Sequence, residues 1–501
     1  MRFAELTAIG CWASIGACES VLLSGGTIIA FVDDTQALDV IRNGALLLTD
    51  DRVAGIYHDV KPAGLPSDTE IVDCTNKIIS PGFIDTHRHG WQTAMRTVAS
   101  NTTLAEYLAR YAGQHAAAIY TPEDIYLGQL AGLLEALNAG VTTTLDHAHH
   151  IWSKDHAKAG LDASIESGAR VYWNHAFGTF SGYSIQDQIT DFKSWRKAAT
   201  NTLTTVAAAF DMWKAETTKD VQAVIDIIKK LSIPVLTTHW LGSVWLFDNS
   251  PELLHSWDIL NTSTAVVFSH GTSINPGAAL LLRQTNQFIS ITPESEMAYG
   301  HSHFDNHHVQ DQSALGVDTH FIFSTDMVTQ ARIWLQRTRS RLFDEVIKRW
   351  EIPINNPMSV NQAFLLATRN GALALRRPDL GVLQVGAKAD LVVFDGRSPG
   401  MLGWDDPVAA IILHSNVGDI EHVMVDGKFR KRNGKLVFDD YDSVVDRFLA
   451  STKRIQKGIR QQPKPALEGN WLGVGCPYGH AAQVNAHPGS SSGTGYGAQF
   501  L

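Results

Sequence analysis

Short apolar segments alternate with helical patterns from residue 78 to residue 327, and this alternation limits the fold more than any other feature of the sequence. One unit is representative: Thr121 and Pro122 begin a helical pattern that Gly140 stops, and a β-branched segment follows at residues 141–145. Strands that alternate with helices pair in parallel, so eight such units predict an α/β fold with a closed (β/α)8 barrel of the TIM type. The residues that end the strands would then share one rim of the barrel.

The predicted strands end in residues that can carry chemistry. The segments predicted as strands are 78–89, 141–147, 169–177, 205–213, 232–240, 264–271, 287–296 and 319–327. Their terminal polar residues include His87, His89, His147, His239, His270, Glu294 and Asp326. A single polar strand end is often a capping or buried group, but several of them at one rim indicate a functional site.

The first strand end carries a His-x-His pair. His87 and His89 are two residues apart, so on a strand they share one face and point into the mouth of the barrel. With 21 His among 501 residues, about one such pair is expected by chance, and the chain has two others. The strand-like approach and the His and Asp at later strand ends distinguish this pair. Two neutral imidazoles at this spacing can bind one zinc ion, so a metal site is predicted here.

Strand and turn patterns also flank the barrel on both sides. Short apolar segments separated by turn residues occupy residues 21–74, and they return at residues 381–436, where Asp426 and Gly427 signal a hairpin. We therefore predict a small β-sandwich domain built from both chain ends, with the barrel inserted into it. The predicted boundaries are 1–78 and 379–440 for the two halves of the sandwich, 79–378 for the barrel, and 441–501 for a helix and a tail rich in Gly, Ser and Pro.

Charge and composition exclude several kinds of partner. A net charge of −10 leaves no basic excess to neutralise nucleic-acid phosphates. No Lys/Arg cluster suits an anionic membrane, and no apolar run reaches the roughly 20 residues that span a bilayer. Four scattered cysteines indicate a reducing compartment, and Glu5 interrupts the apolar N-terminus, so a cytoplasmic protein with a small-molecule partner is expected.

Several motifs resemble the amidohydrolase superfamily, in its branch of aminohydrolases and chlorohydrolases that act on heterocycles such as guanine, cytosine, methylthioadenosine and triazines. The matching segments are PGFIDTHRH at 81–89 with Gln92 and Arg96, AGVTTTLDH at 139–147, ATRNGALAL at 367–375, LGVLQVGAKADLVVFD at 380–395 and VMVDGKFR at 423–430. Together with the strand ends, they span about residues 20 to 440. A homodimer is also common in this family.

The resemblance implies a set of metal ligands and their chemistry. The implied ligands are His87, His89, His239 and Asp326, around one divalent ion that is most often zinc, with iron as the alternative. The resemblance further places His270 beside the nucleophilic water and makes Asp326 the group that accepts its proton. The predicted fourth strand does not end in Lys, so a carboxylated lysine bridging two metal ions is not expected and one ion is favoured.

Two positions depart from the family pattern. Deaminases of this branch have a glutamate three residues after the fifth-strand histidine, and Gly242 stands there in this chain. After Pro293 the family has a small residue followed by Ser-Asn, whereas this chain has Glu294. We hypothesise that Glu294 reaches the pocket and supplies the missing carboxylate.

The expected function is that of a metal-dependent hydrolase, in which metal-activated water attacks a C–N bond of a small cyclic molecule, as in a deaminase or a cyclic-amide hydrolase. Because of Gly242, a lyase, dehydratase, decarboxylase or dechlorinating hydrolase on the same metal site stays open, as does a binding protein without catalysis. The residues expected to contact substrate are Trp91, Gln92, His147, His149 and Trp240.

Overall fold

The computed structural model describes residues 20–214, 218–301 and 305–482. Residues 483–501 of the predicted Gly-, Ser- and Pro-rich tail, and the first 19 residues of the predicted N-terminal half, lie outside these ranges. Within them, the chain forms a barrel and a separate mixed sheet. None of the helices in these ranges is both long enough and apolar enough to cross a membrane.

Five strands precede the barrel and belong to the mixed sheet. They are β1 (Ser20–Val32), β2 (Ala37–Thr49), β3 (Arg52–Tyr57), β4 (Glu70–Asp73) and β5 (Lys77–Pro81). β1 and β2 form a long antiparallel pair, and β5 lies beside β1 in parallel. The inward-facing apolar side chains of this region form a core of their own under the sheet.

The barrel strands follow in chain order. They are β6 (Phe83–Arg88), β7 (Val141–Ala148), β8 (Arg170–Phe177), β9 (Thr204–Phe210), β10 (Val235–Trp240), β11 (Ala265–His270), β12 (Phe288–Ile291) and β13 (Ser313–Leu315). Each pairs in parallel with the next. Beyond β13 the barrel closes onto β6, because Asp318 N donates to His87 O at 2.7 Å and His89 N donates to Asp318 O at 3.2 Å. The predicted parallel barrel is confirmed.

Helices connect and surround these strands. They are α1 (Leu104–Arg110), α2 (Gln114–Ala117), α3 (Pro122–Asn138), α4 (Lys154–Glu166), α5 (Ile185–Ala198), α6 (Thr218–Leu231), α7 (Pro251–Ser256), α8 (Pro276–Thr285), α9 (Pro293–Tyr299), α10 (Met327–Ile347), α11 (Val360–Ala367) and α12 (Arg369–Ala374). The predicted cap at Thr121 is present, since its side chain accepts from Asp124 N and Asp124 bonds back to Thr121. Short 3-10 helices occupy Gly90–Met95, Ser243–Trp245 and Asn306–Gln312.

The sheet is completed after the barrel. The remaining elements are β14 (Leu391–Asp395), α13 (Pro407–Ala409), a π-helical turn (Ala410–His414), β15 (Ile420–Val425), β16 (Lys428–Arg432), β17 (Lys435–Leu436) and α14 (Tyr441–Gln461). β14 pairs antiparallel with β5, so the halves from the two chain ends form one sheet. The predicted hairpin is confirmed: Val425 pairs with Lys428, and both turn residues, Asp426 and Gly427, have positive φ as a two-residue turn requires.

Two contacts fix the barrel to its neighbours. Arg170, at the start of β8, forms a bidentate ion pair with Asp390, whose two oxygens lie 2.8 and 3.0 Å from Nε and Nη2, and the same Nη2 lies 2.8 Å from Asp426. At a second contact, α14 packs along α3, where Ser451 donates to Asp124. The barrel is therefore held both by the sheet and by the C-terminal helix.

Candidate metal centre

The ends of four barrel strands bring five histidines together. His87 lies in β6, and His89 directly follows that strand. β7, β10 and β11 supply His147, His239 and His270. Adjacent ring centroids within this group lie 4.3 to 5.9 Å apart. All five stand at the C-terminal rim, where barrel enzymes carry their active sites.

The hydrogen bonds of three of these rings fix which nitrogen faces the centre. His89 Nδ1 lies 2.8 Å from the carbonyl oxygen of His147, which can only accept, so Nδ1 carries the proton. His239 Nδ1 likewise donates to Asp211 at 2.9 Å. His87 Nδ1 lies 2.8 Å from Ser269 Oγ. His89 and His239 therefore offer an unprotonated Nε2, as in histidines that bind a metal ion, and His87 does the same when its Nδ1 donates to Ser269.

The Nε2 atoms of these rings converge on one point. His89 Nε2 and His239 Nε2 face each other at 3.3 Å. Asp318 Oδ1 lies 3.4 Å from His87 Nε2 and 3.2 Å from His89 Nε2. Two lone pairs at this separation repel each other, and His87 Nε2 has no aligned hydrogen-bond partner among the described residues. A cation between these atoms removes both defects, so three imidazoles and one carboxylate fit a divalent metal ion.

The protonation states agree with this arrangement. Burial holds the pKa of His87 well below its usual value, which keeps the ring neutral. Burial alone raises the pKa of Asp318, but its close contacts with the His87 and His89 rings outweigh this effect, and the pKa lies well below its ordinary range. Ser295 donates to the other carboxylate oxygen of Asp318. The site thus combines neutral imidazoles with an ionised carboxylate, the forms that bind a metal ion.

Asp211 is a second carboxylate at the centre, just after β9. Its Oδ1 accepts from the backbone N of His239 at 2.7 Å, and its Oδ2 lies 2.9 Å from His239 Nδ1 and 3.2 Å from His147 Nε2. Burial raises the pKa of Asp211, but its interactions with His239 and His147 more than offset this effect and bring the pKa well below its usual value. Asp211 therefore orients His239 as a carboxylate behind a ligand histidine does.

His270 is held in an uncommon backbone conformation. Its φ is 77°, a left-handed conformation that is rare for a residue with a side chain and that often marks a functional position. Asn306 donates to its carbonyl oxygen at 2.9 Å, and Thr292 Oγ1 lies 2.9 Å from its Nδ1. The Thr292 hydroxyl also points to Glu296, at 3.4 Å. This chain of contacts directs the remaining ring nitrogen of His270 towards the cavity.

Two predicted site residues lie elsewhere. The eighth strand is Ser313–Leu315, so the strand predicted at 319–327 is wrong, and Asp318 takes the place in the cluster that was predicted for Asp326. Asp326 is instead the N-cap of α10, where it accepts from Val328 N and Thr329 Oγ1. Glu294 accepts from Gln330 on that same helix at 2.9 Å and does not line the cavity, so the hypothesis that it supplies the missing carboxylate is not supported.

A cavity of about 260 Å³ opens in front of the cluster. Its lining includes three histidines of the cluster, His89, His239 and His270, together with both carboxylates and several apolar side chains. The lining residues are His89, Leu104, Tyr107, Leu108, Ala112, Gly113, His149, Asp211, His239, Leu241, Phe247, His270, Tyr299, His301, Asp318 and Thr319. Such a mixture of apolar walls with a few polar groups is typical of a site for a small molecule.

Only one of the five predicted substrate contacts lines this cavity, namely His149. Trp91 is fully buried and donates to His149 Nδ1 at 3.2 Å, and Gln92 donates to the Tyr107 hydroxyl at 2.6 Å, so both act through a lining residue. His147 belongs to the cluster but is fully buried and does not line the cavity. Trp240 follows His239 on the strand and points out of the barrel, against Phe268, which contradicts its predicted role.

A parallel barrel with three imidazoles and a carboxylate at its C-terminal rim is an arrangement that metal-dependent hydrolases use. The chain belongs to the amidohydrolase family, because the sequence model of that family matches residues 78–430. It is therefore a hydrolase that acts on carbon–nitrogen bonds other than peptide bonds, as predicted.

Relatives of this chain belong to the same class, and solved structures share its fold. The 5-methylthioadenosine/S-adenosylhomocysteine deaminase of Pyrococcus horikoshii is 24% identical over 463 residues, covering 86% of this chain and 99% of the relative. The 5'-deoxyadenosine deaminase of Methanosarcina acetivorans is 24% identical over 439 residues, 81% of this chain and 92% of the relative. The fold matches a zinc-bound adenosine deaminase from Xanthomonas campestris at a TM-score of 0.74 and 17% identity, covering 88% of this chain and 99% of that one. It also matches zinc-bound atrazine chlorohydrolase from Arthrobacter aurescens at a TM-score of 0.73 and 18% identity. That match covers 86% of this chain and 100% of the chlorohydrolase chain.

Proposed function

We propose that this chain is a deaminase-type hydrolase that binds one divalent ion, zinc in the first place and iron in the second, through His87, His89, His239 and Asp318. Two contacts carry the proposal: His89 Nε2 lies 3.3 Å from His239 Nε2 and 3.2 Å from Asp318 Oδ1. When bound, the metal lowers the pKa of a water molecule towards neutrality so that the water can attack a carbon–nitrogen bond.

The residues around that position divide the remaining work. Asp318 is ionised and stands at the cluster, so its carboxylate can accept a proton from the nucleophile. His270 faces the cavity from the other side, with its Nδ1 held by Thr292, and can orient the nucleophile or polarise the departing group. Apolar walls limit the access of bulk water to the reacting bond.

The names of the relatives suggest the substrate class. Deaminases of 5'-deoxyadenosine and of 5-methylthioadenosine are among the similar proteins, and a guanine deaminase with bound guanine has the same fold. We infer that a small cyclic amine is the substrate and that ammonia is released.

A dechlorinating hydrolase is the second candidate, and Gly242 is the observation that favours it. The glutamate expected there in a deaminase is missing, and Gly242 adopts φ 21° and ψ −166°, which an amino acid with a side chain rarely adopts. The departure of a halide from a ring carbon leaves no ring amine to protonate, and the fold likeness includes an atrazine chlorohydrolase. A lyase, dehydratase or decarboxylase on the same centre has no comparable support. The homodimer and the cytoplasmic location remain predictions from the sequence.

The test measures metal content and product together. We expect about one equivalent of metal in the purified protein, and loss of that metal in Asp318→Ala. Asp326→Ala is the matched control, because it should retain the metal and lose only a helix cap, which costs about 1 kcal/mol of unfolding free energy. The reverse result would restore Asp326 as the ligand.

Substrate screens of aminated and chlorinated purines, pyrimidines and triazines then separate the two candidate reactions. Release of ammonia supports the deaminase. Release of chloride without ammonia supports the dechlorinating hydrolase, and the absence of both products would contradict the two proposals alike.

A further inference from the structure

The cavity in front of the metal centre has a definite charge pattern. Among its described lining residues there is no Lys or Arg, whereas two lining residues, Asp211 and Asp318, are carboxylates. The described lining therefore offers no lysine or arginine to pair with an anionic ligand, and its two carboxylates disfavour one.

The far end of the cavity is apolar. Leu104 and Leu108 approach from α1, and Leu241 and Phe247 from the segment after β10. Tyr107 and Tyr299 also line the cavity, with their ring centroids 5.6 Å apart. Burial raises the pKa of the Tyr107 hydroxyl above its ordinary value, so this group stays neutral. A carboxylate or phosphate placed among these side chains would be buried without a counter-charge.

Two of the polar groups that line the cavity, His149 and Asp211, differ in hydrogen-bond character. Trp91 Nε1 donates to His149 Nδ1 at 3.2 Å, so the neutral His149 ring carries its proton on Nε2 and is a donor at the cavity. Asp211 retains an exposed fraction of 34% in its side chain and is an acceptor only. A ring with one acceptor and one N–H donor meets both groups.

We propose that the substrate is an uncharged, compact nitrogen heterocycle with an apolar substituent, and that the cavity rejects analogues whose substituent carries a carboxylate or phosphate. The ring lies between His149 and Asp211 at the metal, and the substituent lies among Leu104, Leu108 and Phe247. This inference rests on the proposed function, because the ring is placed at the metal by the reaction assigned to it.

The test compares matched ligands for binding rather than for turnover. An aminopurine and an aminotriazine are each prepared with a butyl and with a 3-carboxypropyl substituent, which have the same chain length. Calorimetry on the zinc-loaded protein should show the butyl compound of at least one pair binding about tenfold or more tightly than its carboxylate partner. Equal affinity, tighter binding of the carboxylates, or no binding of either butyl compound at millimolar concentration would overturn the proposal.

A charge introduced into the wall tests the position of the substituent. Leu108→Lys should bring the affinity for the carboxypropyl compound up to or above that for the butyl compound. Leu280→Lys is the control, since Leu280 lies on α8 with 55% of its surface exposed and should leave the ratio unchanged. An unchanged ratio in folded Leu108→Lys protein would contradict the assigned wall, and the wild-type ratio decides the matter if that variant does not fold.

Failure of the two proposals can be told apart. Selective binding without release of ammonia or chloride would refute the proposed reaction and leave the substrate class standing. Release of ammonia from butyl and carboxypropyl amines at equal kcat/KM would support the reaction and refute the selectivity.

Discussion

Asp211 accepts a hydrogen bond from His239 Nδ1 at 2.9 Å, and this contact determines that His239 turns its Nε2 towards His89. The same carboxylate also accepts from the backbone N of His239, so ring and main chain are held by one side chain. The orientation of a proposed metal ligand thus depends on a residue from the neighbouring strand.

Asp211→Asn should weaken metal binding without unfolding the protein. The amide lacks the charge that holds the Nδ1 proton of His239, and loss of such a partner typically raises the metal dissociation constant about 10- to 100-fold. Competition with a chromogenic chelator measures this constant. Asp258→Asn is the control, because Asp258 is 80% exposed and pairs only with Lys229 on the outer surface. An Asp211 variant with wild-type affinity would show that His239 needs no partner.

Gly242 should not tolerate the glutamate that the family pattern has at this position. Its φ is 21°, and an added Cβ would approach the Ser273 side chain at 2.8 Å. We expect Gly242→Ala and Gly242→Glu both to lower the free energy of unfolding by about 1–3 kcal/mol, with no gain in deamination. Chemical denaturation and an ammonia assay test both statements. A stable, more active Gly242→Glu enzyme would mean that the loop rearranges.

Arg170→Met should destabilise the protein by about 3–5 kcal/mol, because it leaves Asp390 buried without its cation. Arg170 and Asp390 are 7% and 2% exposed at the side chain. Arg283→Met is a matched control, since Arg283 forms a bidentate pair with Asp311 in which the two side chains are 43% and 55% exposed. That exposed pair should contribute no more than about 1 kcal/mol. Similar losses for both variants in denaturant titrations would contradict this difference.

Lys431 should make stability depend on alkaline pH. Burial lowers the pKa of its ammonium group from 10.5 to about 8 in the folded protein. Between these values the unfolded chain binds the proton more tightly, so the free energy of unfolding rises as pH increases from 8 to 10.5 and falls as pH decreases through 8. Lys431→Met should remove this rise, of order 1 kcal/mol or more. Denaturation at a series of pH values compares the two slopes, and parallel profiles would count against the assignment.

The barrel could be predicted because its strands are long enough to show their pattern. β7, β8 and β11 are β-branched or apolar segments bounded by glycine or turn residues. The eighth strand is only Ser313–Leu315, too short to show a period, while residues 319–327 resemble a strand more strongly. Local strand propensity therefore favoured the wrong segment as the eighth strand. As a result, Asp326 rather than Asp318 was predicted as the metal ligand.

The site was predictable where a strand end determines it. His87, His89, His239 and His270 all stand at such ends, and Asp211 stands at one too, after the run ending in Phe210, so the signal for it was present. Leu104, Leu108 and Tyr107 gave no such signal. They lie on α1, and its approach to the cavity depends on packing between Tyr107, Tyr299 and Phe321 rather than on any local pattern.

The pairing of β5 with β14 has a consequence for how the chain is made. Pro81 pairs with Leu391, and Lys77 with Asp395, so the whole barrel is synthesised between the two strands. Until β14 emerges from the ribosome, one edge of β5 has no partner, and exposed strand edges promote aggregation. Because this contact is so distant in sequence, closing it is a slow step. A nascent chain stalled before residue 391 should therefore depend on chaperones far more than one released after residue 436.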